Sequence, residues 1–491
     1  MNYKLLLRIL GYVLAIEAAF MIIPTVVAAI YGESPLPFLA TIGLLATVSV
    51  PFLVKKPKNN RMYAKEGFVA VGLSWILMSA FGALPFIFSG SIPSFIDAFF
   101  EVVSGFTTTG ATVLGATIQI EDLSRSILFW RSLTHWVGGM GVLVLMMALF
   151  PGENGSSIYI MRAEVPGPQK GKLVPKMRNT SLILYSIYIV LTVIMAISLR
   201  LTGIDWYDAV VNAFATAGTG GFSVLNNSIQ GYMNPATEWV IALFMAIFSI
   251  NFNLYFFILI RKFKGIIRNE ELRVFGLLVL ISTVTMTINL WTSGAFSTLG
   301  ECIRASFFQV SSITSTTGFS SVDYSSWPEL SKSIIILLTF VGACAGSTAG
   351  GLKISRIIII VKTVRLRIKK MLKPREVISL KLDGDAIPLE VGNGAMNYLS
   401  IYTVFFIISL LLIALNGKDF ITTFTSVLTC INNVGPGFGE VGPAGNFYNF
   451  SPLSKIVLSL DMLFGRLEII PMIILLSPST WRGFGKVEKP F

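Results

Sequence analysis

Thr107-Thr108-Thr109-Gly110-Ala111 is the stretch that decides the fold, because variants of it recur three more times along the chain. The later versions are Gly218-Thr219-Gly220-Gly221-Phe222, Ser315-Thr316-Thr317-Gly318-Phe319 and Asn432-Asn433-Val434-Gly435-Pro436. Each follows a weakly amphipathic run and stands between two long apolar segments. Counted from Gly110, Gly220, Gly318 and Gly435, the separations are 110, 98 and 117 residues, a period that points to four copies of one unit. Glycine tolerates positive φ and leaves carbonyls exposed, as a backbone ring around a dehydrated cation requires. The expectation is one quarter of a selectivity filter per copy, all four from one chain. Its candidate residues are Thr108, Thr109 and Gly110, then Thr219, Gly220 and Gly221, then Thr316, Thr317 and Gly318, and finally Asn433, Val434 and Gly435. In the second copy either Gly220 or Gly221 aligns with the others.

Composition places these copies in a membrane. Hydrophobic residues make up 54% and charged residues 13% of the chain, against about 25% charged in an ordinary soluble domain. Uncharged runs of spanning length recur at Ser34–Val54, Gly67–Ile96, Ser132–Gly152, Asn179–Leu199, Trp239–Ile260, Val274–Gly300, Ser333–Leu352 and Val391–Gly417. About 20 such residues cross a bilayer as helix. Two further spans carry charges: Ile9–Tyr31 contains Glu17, and Pro452–Leu476 contains Lys455, Asp461, Arg466 and Glu468. Ten spans are predicted. The first apolar stretch is too long for a signal h-region and lacks a cleavage site, so it is read as a span.

The net charge of +12 follows membrane topology and does not indicate nucleic acid. Lys55, Lys56, Lys58, Arg61 and Lys65 follow the second span, Arg162 to Arg178 the fourth, Arg261 to Arg273 the sixth, and a run from Lys353 to Arg375 the eighth. The positive-inside rule makes that side the cytoplasm, with both termini there. The opposite loops lean acidic through Asp97, Glu101, Glu121, Asp122, Asp205, Asp208, Asp323 and Glu440; an acidic vestibule would concentrate cations, and solvated loop charges are the commoner reading. Cys302, Cys344 and Cys430 have no metal-ligand spacing and read as membrane-packing residues.

The predicted fold class is an all-α polytopic membrane protein with four span–pore-helix–span repeats around a pseudo-fourfold pore. Residues 1–65 form an N-terminal two-helix hairpin outside the repeats. The repeats occupy 66–177, 178–268, 269–385 and 386–491. Short helices too short to cross are expected near 93–106, 205–217, 298–313 and 418–431. Each must dip in and return through its filter segment, since non-helical backbone at depth is tolerated only where it lines a cavity. The C-terminal end of such a half-helix carries partial negative charge, which favours a cation. Glu17, an acid inside a span, is a functional candidate or a shielded structural hydrogen bond.

Two stretches depart from plain spans. From Lys332 to Lys370 a continuous helix would run roughly 58 Å, about twice the membrane core. Its middle, Gly342-Ala343-Cys344-Ala345-Gly346-Ser347-Thr348-Ala349-Gly350-Gly351, is too glycine-rich for helix interior. The prediction is a broken helix whose loop, with Gly346, Ser347, Thr348, Gly350 and Gly351, lies at mid-membrane below the filter as a gate. A close helix contact through small residues is the structural alternative. The second departure is Arg466 in the last span. Below a cation filter it would repel ions and could hold the loop through its carbonyls. An ion pair with Asp461 is the structural alternative, because Glu468, two residues away, faces elsewhere on a helix.

These residues resemble the Trk/Ktr/HKT superfamily of potassium transporters, in particular its bacterial Trk-type uptake subunits. The likeness covers nearly the whole chain. It rests on Phe106–Gly110, Gly220-Gly221-Phe222-Ser223, Thr316–Phe319, Asn433–Gly437, Gly342–Gly351 and Gly465–Glu468. It implies a single-chain pore for K+, a homodimer in the inner membrane, and a separate cytoplasmic ring of nucleotide-binding regulatory subunits that controls opening. It also implies that the glycine-rich break is the gating loop. Gly110 in place of a serine goes with potassium over sodium in the same family.

Two other classes compete on the residues alone. A secondary transporter coupling a cation gradient to a small solute would also break helices at the midplane, but as inverted or paired repeats. An intramembrane enzyme would need acids, bases or metal ligands at depth. The single histidine, His135 in Thr134-His135-Trp136, has no partner motif and reads as a packed or interfacial side chain. The chain is therefore expected not to be an enzyme and to carry no organic cofactor. Diffusive and proton- or sodium-coupled entry of the ion (symport) are equally compatible with the sequence.

Overall fold

A computed structural model describes residues 2–54, 64–141, 177–376, 378–467 and 469–481. Lys55, Lys56, Lys58, Arg61, Arg162, Lys170, Lys172, Lys176, Glu468 and the end of the span expected at Ser132–Gly152 lie outside them. Six described helices are long and apolar enough to cross a membrane: Tyr3–Tyr31, Leu36–Val54, Lys65–Phe88, Asn179–Leu201, Glu270–Thr292 and Leu389–Ala414. The first two are the N-terminal hairpin, and the other four open the successive repeats.

Between each opening span and its partner lies a short helix: Phe95–Phe106, Trp206–Gly218, Leu299–Thr314 and Phe420–Ile431. Each begins on a side-chain cap. Ser94, Asp205, Thr298 and Asp419 accept from backbone N–H groups in the first turn, and Thr298 with Glu301 completes a capping box. The caps satisfy donors that a helix too short to span would otherwise leave bare in an apolar setting.

The closing spans are where continuous helix fails. Helices Glu329–Val341 and Ile354–Leu372 are separated by the glycine-rich stretch, as predicted. The closing span of the second repeat, expected as one helix through Trp239–Ile260, is instead Pro235–Phe248 and Phe252–Leu259, bent by 89°. Asn251 caps the second piece by accepting from Asn253 N at 2.9 Å. The backbone freed at the break is used by the glycine-rich loop: Cys344 N donates to Ser249 O at 3.2 Å and Phe252 N to Gly346 O at 3.0 Å. The loop thus satisfies backbone groups that the break leaves without helical partners.

One element departs from an all-helical reading. Leu380–Leu382 pairs antiparallel with Asp385–Ile387, Leu380 opposite Ile387. Asp383 and Gly384 both take positive φ in the turn, the conformation an Asp-Gly hairpin favours. Asp383 also accepts from Glu270 N at 2.8 Å, joining the hairpin to the opening span of the third repeat.

The N-terminal hairpin is tied in by a carboxylate. Glu33 accepts from Arg125 N at 2.6 Å, Ser126 N at 2.9 Å and Ser126 Oγ at 2.5 Å, supplying the N-terminal partners of helix Arg125–Met140. Glu17 is buried in the same region, and neither carboxylate oxygen has a hydrogen-bond partner among the described residues.

Candidate functional site: a four-copy carbonyl ring above an intramembrane loop

All four short helices end in one way. Thr108, Thr219, Thr316 and Asn433 take left-handed φ of 56°, 57°, 56° and 54°. Their N–H groups donate three residues back, to Gly105, Thr216, Ile313 and Cys430. The next residues, Thr109, Gly220, Thr317 and Val434, donate five residues back at 2.8–2.9 Å. This is the Schellman pattern, normally closed by glycine. Here three β-branched threonines hold the strained position, at a cost of about 1–3 kcal/mol each, as found where a backbone is held for function.

Two residues further on, Gly110, Gly221, Gly318 and Gly435 have φ of 82°, 80°, 80° and 90°. The register of the second copy follows: Gly221 matches the other three, and Gly220 does not share their positive φ. A β-carbon at Gly110 would overlap the Gly220 carbonyl oxygen, one at Gly221 the Thr317 oxygen, one at Gly318 the Val434 oxygen, and one at Gly435 the Thr109 oxygen. The order runs from each copy to the next and closes on itself. Four carbonyls are thus packed against four glycines in a ring that leaves no room for a methyl group. All four glycines line one cavity of about 60 Å³, enough for a few waters or an ion.

The ring is held from behind by buried polar contacts. Thr109 Oγ1 lies 2.8 Å from Thr107 Oγ1 and accepts from Asn433 Nδ2 at 3.0 Å, joining the first copy to the fourth. Thr317 Oγ1 lies 2.6 Å from Ser315 Oγ. Glu101, fully buried, accepts from Thr112 Oγ1 at 2.8 Å, Val113 N at 2.9 Å and Arg131 Nε at 2.7 Å. Glu101 is therefore a scaffold acid and not a vestibule charge. Asp97 pairs with Lys455 at 2.6 Å and Glu440 with Lys418 at 2.7 Å. Three of the acids of these loops, Asp97, Glu101 and Glu440, are thus paired with cations.

Beneath the ring, the glycine-rich loop touches the second, third and fourth repeats, and Arg466 links it to the first. Gly350 N donates to Thr316 Oγ1 at 2.9 Å, and β-carbons at Gly350 and Gly351 would press on Asn433 and Asn432. Thr348 Oγ1 donates to Phe248 O at 3.3 Å and Ser347 Oγ to Cys344 O at 2.6 Å. Gly346 and Gly351 have φ of 71° and 75°. Arg466, 4% exposed, donates through Nη1 to Thr348 O and Ala349 O, and through Nη2 to Gly138 O and Gly139 O. One guanidinium spans the loop and the end of helix Arg125–Met140. Asp461 points elsewhere, accepting from Ser409 Oγ at 2.6 Å.

Two loop partners were not evident in the sequence. Glu271, buried at the start of its span, accepts from Ala345 N at 2.7 Å, within the loop, and from Ser355 N at 3.0 Å, in the helix that follows it. Lys353 is fully buried at φ 73° and donates to Ala349 O. Both look like cytoplasmic boundary charges in the sequence, and only their burial against the loop distinguishes them.

A family model described as cation transport protein (TrkH) matches residues 38–482. The Trk system potassium uptake protein TrkH of Escherichia coli K12 is 38% identical over 489 residues, covering 98% of this chain and 100% of that protein. TrkG of the same organism, also a Trk system potassium uptake protein, is 33% identical, with 98% and 99% covered. The crystal structure of the potassium transporter TrkH from Vibrio parahaemolyticus superposes with a TM-score of 0.87 at 30% identity, covering 98% of this chain and all of that one. With its helical membrane architecture and with these matches running from end to end, the chain belongs to the TrkH family of cation transport proteins, membrane transporters and not enzymes.

Proposed function

We propose that this protein takes up potassium through the carbonyl ring, with the loop below as its gate. The observation that carries the reading is the closed order of contacts, Gly110 to Gly220, Gly221 to Thr317, Gly318 to Val434 and Gly435 to Thr109. A desolvated monovalent cation needs several carbonyl dipoles at one level, and this order supplies four. The half-helix C-termini add partial negative charge behind them. Thr108, Thr219, Thr316 and Asn433 set the carbonyl directions, and the middle residues with the four glycines face the ion.

In the same reading the loop over 342–351 occludes the conduit, and Arg466 holds it there. A guanidinium below the ring opposes a cation both by charge and by keeping Thr348 and Ala349 in place. Control by a cytoplasmic regulatory subunit, a homodimeric assembly, an inner-membrane location with both termini inside, and the repeat boundaries read from the sequence belong to this proposal as well. The potassium uptake named for the Escherichia coli and Vibrio relatives supports the choice of ion.

Bi-ionic reversal potentials on the purified protein in planar bilayers test the ring. Gly110→Ser should raise sodium relative to potassium permeability, and an unchanged reversal potential would remove Gly110 from the filter. Unitary currents in the same recordings distinguish a pore from a carrier.

A further inference from the structure

The second filter copy differs from the others in a way that its own sequence does not explain. Its middle residue is Gly220, where the other copies carry Thr109, Thr317 and Val434. A β-carbon at Gly220 would lie 2.2 Å from the imidazole of His135, and one at Gly218 would lie 2.2 Å from the His135 carbonyl oxygen, both impossibly close. The single histidine is fully buried on helix Arg125–Met140. Its Nδ1 lies 2.7 Å from Gly105 O, in the short helix of the first copy. Its Nε2 lies 3.3 Å from Phe222 N, just past the filter glycine of the second copy.

These partners define the tautomer. A carbonyl only accepts, so Nδ1 carries the proton, and a backbone N–H only donates, so Nε2 is bare. The ring also lies against Phe222, with centroids 4.1 Å apart and the planes tilted by 36°. One turn earlier, Arg131 donates to Ser223 O at 3.1 Å and lies 3.5 Å above the Phe222 ring. Residues 131 and 135 share a helix face. Together they hold consecutive residues, Phe222 by its N–H and Ser223 by its carbonyl, where that strand leaves the ring.

We propose that His135 is a positioning residue for ion selectivity. It measures the gap between the first and second copies and sets Gly221 at its left-handed angle, and residue 220 is glycine because the imidazole fills the side-chain space. The inference rests on the filter reading above. A histidine donating one proton and accepting another at fixed spacing does what a leucine of similar volume does not.

Two measurements test it. The chain holds one histidine, so protein labelled with 15N-histidine and purified through a histidine-free tag gives one pair of ring resonances. In liposomes, Nδ1 should be protonated and Nε2 bare, and the Nε2 resonance should move when potassium is replaced by sodium. The opposite tautomer, or the same Nε2 resonance in both ions, overturns the proposal. This arm needs no substitution. In planar bilayers, His135→Leu should lower the potassium-to-sodium permeability ratio about tenfold, and His135→Gln, which keeps an acceptor for Phe222 N, should recover most of it. Gly220→Ala should cost selectivity beside His135 and much less in the His135→Ala background. Gly221→Ser is the control. If it shifts the ratio while His135→Leu does not, only the role of His135 falls; if neither moves it, the filter reading itself fails.

Discussion

The ring and the loop below it make opposite use of repetition. At the ring, four segments with different sequences adopt one backbone: left-handed φ of 54–57° at the first position and 80–90° at the third. At the loop, one segment of the third repeat does something that no other described closing span does. The contrast has a geometric cause. A coordination shell is a sum of equal contributions, so four copies at one level are useful. In the proposed reading, a backbone segment laid across the pore axis need come from only one repeat. The other repeats then supply its sockets: the break at Ser249–Asn251, the asparagines at 432 and 433, and Arg466 with Gly138 and Gly139.

Substitutions that respect or violate the quasi-symmetry should separate these roles. The largest effect is expected at the ring. Gly110→Ser, Gly221→Ser, Gly318→Ser and Gly435→Ser each force a side chain onto a neighbouring carbonyl, so each should lower the potassium-to-sodium permeability ratio by about tenfold or more, equivalent to about 1.4 kcal/mol. Effects of one direction at all four positions support equivalence, and a silent position would break it.

Next in size is the loop. Removing part of Gly346–Gly350 should raise rubidium flux into liposomes holding this chain alone, by about tenfold if the segment is the barrier, about 1.4 kcal/mol off the passage. Flux no higher than wild type would return the segment to a packing role.

Arg466 comes third. Cutting a buried ion pair costs about 3–5 kcal/mol, so a purely structural arginine predicts that Arg466→Ala melts early and transports less. Its partners here are four carbonyls of the loop and of helix Arg125–Met140, and a barrier role predicts folded protein with flux raised about threefold, roughly 0.7 kcal/mol. Arg466→Lys keeps the charge without the planar fork and should fall between. Melting in detergent, run beside the flux assay, distinguishes the two.

The smallest effect on transport, none, belongs to the helix caps, which act on stability alone. Asp419 is exposed, and its carboxyl is held below the usual aspartate range by hydrogen bonds from Thr422, against a weaker opposing effect of burial. A lowered folded pKa means that its contribution is present above the ordinary aspartate value and is lost as pH falls through the folded one. Asp419→Ala should therefore cost about 0.5–2 kcal/mol of stability near neutral pH, and melting curves should converge with wild type in strong acid. A difference that persists in strong acid would show that the cap does not act through its charge.

What could be read in advance follows the same division. The ring was legible because glycine and threonine recur at near-equal spacing and no packing requirement explains them. Its second register was not, because Gly220 and Gly221 stand side by side and one of them answers to His135, far away in sequence. Arg466 was legible as a cation in an apolar span, and its hold on the loop carbonyls followed from the same logic, whereas its bonds to Gly138 and Gly139 did not. The break at Ser249–Asn251 escaped because Ser-Ile-Asn inside an apolar run carries no breaker, and its freed hydrogen bonds go to a loop almost 100 residues away. Glu101 and Glu271 read as boundary charges because burial by distant segments leaves no local mark.

The central claim is that the four carbonyls form one coordination level for a dehydrated cation. Anomalous diffraction from crystals grown in rubidium locates it directly. The account predicts a peak on the axis within coordinating distance of Thr109 O, Gly220 O, Thr317 O and Val434 O. A ring with no peak, and rubidium bound at some other position in the protein, would contradict it.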